Sequence, residues 1–150
     1  QASQLNTRTP SYISWDKFPQ VEAITYFARG IGSARSNNQQ GAKDNLVALE
    51  KIYTKTLSTS PNYWAILVDA QRKAVEAWIL YSQGKTENAL TLLQQAATIE
   101  DSVDKNPVTP GSILPIRELL ADMYTLTGNS DAAKKAAEIR VQLEERRGKV

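Results

Sequence analysis

Residues 74–96 read AVEAWILYSQGKTENALTLLQQA. Apolar residues recur at steps of three and four on both sides of a polar break, so the stretch is two helices joined by a short turn. Val75, Trp78 and Ile79 line the first helix; Ala89, Leu90, Leu93, Ala96 and Ala97 line the second, which Thr86 opens. Gly84 stands where the first helix must stop, and glycine takes the left-handed conformation that closes a helix. Ala77 and Ala89 flank the turn. Helices joined by so short a turn cross with their backbones close together, and a bulky side chain at the crossing would push them apart.

The arrangement recurs on either side. Downstream, Ala121, Gly128 and Ala133 repeat it; upstream, Gly30, the Asn37–Asn38 turn and Ala42 repeat it without a turn glycine. The small residue and the following alanine are 12 apart each time: 30 to 42, 77 to 89, 121 to 133. Gly30, Ala42, Ala77, Ala89, Ala96, Ala121 and Ala133 are therefore the expected crossing positions. Six helices in three antiparallel pairs follow, over about 18–57, 60–104 and 112–147. The spacing predicts a first helix over 18–35, capped by Asp16 with Pro19 in its first turn. It predicts a second over 42–57 and a third capped by Ser60. A fifth starts near Ser112 with Pro115 in its first turn, and a sixth is capped by Ser130. Residues 1–15 read as a polar lead-in, loosely ordered at its start, with Trp15 and Phe18 docking on the first helix. The helical repeat domain then spans 16–150. No stretch alternates with period two, so no sheet is expected.

Composition narrows the chemistry. The 150 residues carry 18 basic and 16 acidic side chains, 41% hydrophobic residues, no Cys and no His. Disulfides, thiol chemistry, the usual general base and most zinc, copper and haem ligation are thereby removed, and no cofactor is expected. A net charge of +2 gives no argument for nucleic acid. No apolar run approaches the roughly 20 residues of a membrane helix, so no membrane insertion is expected. The chain begins at Gln1 without Met and without a signal peptide; it reads as an excised piece or a processed form, its compartment open.

The paired pattern resembles the tetratricopeptide (TPR) repeat family. The central pair carries the small–turn–Ala–Ala spacing of that motif. The last, RELLADMYTLTGNSDAAKKA, carries it with Arg140 in place of the final small residue; the first carries Leu49 there. The turns are 47 and 44 residues apart, against about 34 in that family. The strings FPQVEAITYFARGIGSARS, YWAILVDAQR and NPVTPGSILPIRELLADM are similar to the C-terminal region of a group of bacterial TPR-repeat proteins. That group would carry His at the positions of Tyr26 and Asn106, so no acid–base or metal role there carries over. The resemblance implies a right-handed stack of three antiparallel pairs, an all-α array acting as a scaffold for a protein or peptide. The scaffold would be the C-terminal part of a longer repeat protein. It also implies that the first helix of each pair lines the binding groove. Gln71, Trp78, Tyr81, Glu118, Asp122 and Thr125 are then the groove candidates. The peptide-carboxylate clamp of some chaperone-binding members is not recognisable.

Two other functions compete. A structural module that caps neighbouring repeats, or self-associates, would use a bare apolar end. A carboxylate-based hydrolase would need Glu100, Asp101 and Asp104 to meet Glu118 and Asp122 in one cleft. Trp64 and Trp78, 14 apart and on one face, are either core or an aromatic patch. The proline-rich loop 105–111 is a spacer or a contact. No P-loop, G-x-S-x-G elbow or calcium loop is present.

Overall fold

Three turns of one geometry organise the chain. In the second, Gly84 takes φ +78°, and the Lys85 N–H donates back to the Leu80 carbonyl at 3.0 Å. In the third, Gly128 takes φ +77° and the Asn129 N–H donates to the Tyr124 carbonyl at 2.9 Å. The first does the same without glycine: Asn37 takes φ +60° and the Asn38 N–H donates to the Ser33 carbonyl at 2.9 Å. Asparagine is the side chain that best tolerates this region. All three first helices therefore end alike, and Ala42, Ala89 and Ala133 each fall five residues beyond the left-handed residue.

The computed structural model describes residues 1–104 and 112–147, Arg146 and Arg147 by backbone alone. Among these, the chain is all-α: α1 Pro19–Arg35, α2 Gln39–Thr59, α3 Trp64–Ser82, α4 Thr86–Asp101, α5 Ile116–Leu126 and α6 Ser130–Arg147. α1/α2, α3/α4 and α5/α6 form three hairpins. The first helix of each later hairpin packs on both helices of the one before: α3 on α1 and α2, α5 on α4 and α3. The loop 105–111 and Asn106 lie outside the described residues.

The core runs along these junctions, built from small residues at the crossings and branched ones between them. Ala42, Ala77, Ala89 and Ala96 are fully buried, as are Leu49, Val75, Leu93, Leu119 and Met123. Gly30 has a partner other than the expected one. A Cβ there would lie 2.8 Å from Val75 Cγ1, so its lack of a side chain admits α3 of the next hairpin rather than α2.

Several helix starts differ from expectation. α1 begins at Pro19 with Phe18 at its N-cap and no side-chain cap. Asp16 instead pairs with Arg8 at 3.0 Å. α2 begins three residues early because Asn38 accepts the Gly41 N–H at 2.9 Å; a Cβ on Gly41 would strike that amide. α3 begins at Trp64, not after Ser60; the Ser60 carbonyl takes the Ala65 N–H across an intervening turn. Asn129 rather than Ser130 caps α6, accepting the Ala132 N–H at 3.2 Å. α5 starts after Pro115, whose φ −59° and ψ 138° are extended rather than helical.

The lead-in is packed from its start. The 3-10 turn Ala2–Gln4 lies on α1, where a Cβ on Gly32 would strike Ser3 N at 2.8 Å. Trp15 is buried, and its Nε1–H donates to the Pro10 carbonyl at 3.1 Å. Arg8 bridges Asp16 and buried Glu22; the Glu22 hydrogen bond, then that of Asp16, raises its guanidinium above the ordinary arginine value. Arg29 donates to the Leu5 carbonyl and to Asn45 Oδ1. Phe18, expected to dock on the first helix, is that helix's N-cap residue and is exposed.

Candidate functional site

α1, α3 and α5 lie side by side, each first helix in contact with the next. Their facing side chains meet at the ends nearest the turns. Trp78, on the central helix, is 2% exposed. The Arg35 guanidinium from α1 sits 4.7 Å above its ring, a cation–π distance. Arg35 Nη1 continues to Asp122 Oδ2 on α5 at 2.8 Å. Tyr81 meets the Trp78 ring edge-on, centroids 5.6 Å apart. One cluster thus draws residues from all three hairpins, roofed by an ion pair whose members are both substantially in solvent.

Of the two alternatives for Trp78, core or aromatic patch, the arrangement places it in the core: Arg35 covers its ring, and it belongs to the core cluster. Its Nε1–H is nonetheless buried and has no hydrogen-bond acceptor among the described residues. Gln71, one helical face down α3, shows the same state at Oε1. A buried polar atom without a partner costs about 1–3 kcal/mol; Gln39 Oε1, Arg72 Nε and Arg140 Nε share this state. Trp64 is half-buried against the Tyr63 ring at 4.8 Å.

The other candidates divide. Thr125 is exposed, its hydroxyl donating to the Ala121 carbonyl at 2.9 Å. Glu118 pairs with Arg140 of α6 at 2.6 Å, and so faces its own hairpin. Arg140, in place of a small crossing residue, reaches over α5 instead of packing under it.

The carboxylates do not assemble. Glu100 is buried, with Oε1 accepting the Ser112 hydroxyl at 2.6 Å and Oε2 accepting the Ile116 N–H at 2.8 Å. It caps α5, which has no side-chain cap of its own. Asp101 holds Arg117 at 2.7 Å. Asp104 is exposed, and with Glu118 on Arg140 and Asp122 on Arg35 the other four of the five acids serve four separate structural contacts. Among the described residues, no three acidic side chains come together as a metal-binding group, and no helix is long and apolar enough to cross a membrane. An open depression on α4, lined by Thr91, Gln94, Gln95, Thr98 and Ile99, holds no ionisable group.

Arg35 is the site residue that sequence reading missed. By type it is a basic residue in the last turn of α1, favourable there on its own account. Its partners lie 43 and 87 positions away, and only the stacking of hairpins brings them within reach. No protein-family profile, curated protein or solved structure matches the chain.

Proposed function

We propose that the chain is a non-catalytic scaffold for a protein or peptide, built as a TPR-like array that presents the first helices of its hairpins. The observation that carries this reading is the cluster of Arg35, Trp78, Tyr81 and Asp122. Three helices contribute to it, and its Arg, Trp and Tyr are residue types in which interface energy concentrates. The unpaired Trp78 Nε1–H and Gln71 Oε1 add support, since a bound peptide backbone supplies one acceptor and one donor per residue. Four of the five candidate carboxylates are each tied to a structural partner, which favours a scaffold over hydrolytic chemistry. In this reading Arg35 and Asp122 separate when a partner binds. An exposed ion pair is worth about 0–1 kcal/mol, a barrier small against typical binding energies.

A library of random linear peptides displayed on phage and panned against the full chain tests this. Peptides should be enriched, and their affinity should fall about tenfold or more on Asp122→Arg and on Trp78→Phe, with the helical circular dichroism retained. Trp78→Phe removes the indole N–H while keeping a large aromatic ring. Failure to enrich any peptide, or enriched peptides indifferent to both changes, would defeat the reading.

A further inference from the structure

α4 and α6 open on the same turn, 44 residues apart, so their residues can be matched one to one. Leu93 matches Ala137, Ala97 matches Val141, Glu100 matches Glu144 and Asp101 matches Glu145. On α4 the first three lie at i, i+4 and i+7, one stripe of the helix, and all are buried. The stripe ends in the carboxylate that holds the first N–H of α5, and Asp101 beside it holds the second residue, Arg117. Counting the same way from Asn37, the residue of α2 matching Glu100 is Tyr53. Its ring carries Arg72 of α3 at 4.8 Å. At both internal junctions, then, the sixteenth residue beyond the left-handed turn residue grips the first helix of the next hairpin.

On α6 that residue is Glu144. Its side chain is 56% exposed, and Oε1 is shared with Arg140 at 3.1 Å. Ala137 is exposed, and Val141 is 50% exposed. Glu145 is exposed beside them. The stripe that receives α5 on α4 is thus repeated on α6, acids included, and no described element covers it.

We propose that Ala137, Val141, Glu144 and Glu145 form a docking site for the first turn of an amphipathic helix supplied by a partner. The helix is of the α5 kind: no side-chain cap of its own, an apolar first residue and an arginine second. The chemistry follows from the α4 junction. The first N–H groups of such a helix lack acceptors, its N-terminal end is electropositive, and Glu144 supplies both acceptor and charge. Glu145 takes the arginine, as Asp101 does. The apolar first residue covers Val141. This face is distinct from the Arg35–Asp122 cluster, and the proposal does not depend on it.

The probe is an N-acetylated, fluorescein-labelled peptide of residues 112–126, titrated with the full chain and followed by anisotropy. Saturable binding is expected. It should weaken about tenfold or more on Val141→Arg, and similarly on the pair Glu144→Gln with Glu145→Gln, all at exposed positions. Glu100→Gln, at the internal site, should leave the affinity unchanged. Three results would overturn the proposal. One is no saturable binding. Another is binding lost on Glu100→Gln alone, meaning the peptide merely exchanges with α5. The third is self-association of the unliganded chain that Val141→Arg abolishes, which would put a second copy on the stripe.

Discussion

α4 and α6 are the second helices of adjacent hairpins, begin at the same point of the same turn, and carry the same order at matched positions, apolar residue, acid, acid, with α6 running on to Arg147. Yet Glu100 is buried and holds a helix, whereas Glu144 stands in solvent beside Arg140. Neighbourhood alone separates them. A carboxylate at this register becomes a structural cap when a helix arrives with unpaired N–H groups, and remains a surface charge when none does. The side chains upstream have adjusted to match. α4 fills its stripe with Leu93 and Ala97, while α6 uses Ala137 and Val141 on a helix that is otherwise strongly charged.

This contrast can be broken at matched positions. Leu93→Ala should cost about 2–5 kcal/mol, because a fully buried leucine leaves a cavity. Val141→Ala, on the matched stripe of α6, should move stability by no more than about 0.5 kcal/mol. Urea unfolding of the two variants side by side measures the difference. Glu100→Ala should cost about 2–3 kcal/mol, since the buried Ile116 N–H and the Ser112 hydroxyl both lose their acceptor. Glu144→Ala should cost less than about 0.5 kcal/mol. Equal losses at Glu100 and Glu144 would mean that α6 is covered in solution.

The turns allow a finer comparison, with smaller effects. Gly84→Ala and Gly128→Ala should each cost about 1–2 kcal/mol, because a Cβ is strained at their positive φ even where space is open. Asn37→Gly should be neutral or slightly stabilising, since it relieves the same strain in the first turn. Thermal melts of the three variants should fall on opposite sides of the parent. Arg35→Ala should cost about 1 kcal/mol or less, and its effect should shrink further as salt is added.

How far the sequence revealed this depended on distance along the chain. Gly84 and Gly128 announce their turns because only glycine takes that conformation freely. Asn37 does the same work less visibly, and the first turn looked irregular for want of a glycine. The offset of 12 located the hairpins correctly but misassigned Gly30, because periodicity cannot distinguish a partner in the same hairpin from Val75 in the next. Asp16, Ser60 and Ser130 were plausible caps by type. α1 and α3 have no side-chain cap, whereas α2 and α6 are capped by Asn38 and Asn129, one residue after the left-handed turn residue, where the side chain points back at the new helix. Glu100 looked like part of an acidic surface, since its partner lies 16 positions on, across a proline-rich connection. Trp78 was recognised as important, but its cover is an arginine from another hairpin, and no local pattern signals that.

The bridge from Arg35 to Asp122 joins the first hairpin to the third and passes over the second. In a stack where each unit touches only its neighbours, the angle at each joint is free to vary, and small changes accumulate towards the ends. A tie between units one and three acts like a bowstring. It adds one contact between the outer units to those each unit makes with its neighbour, worth about 0–1 kcal/mol for a pair this exposed. Because that contact is ionic and open to water, its tension falls as salt rises.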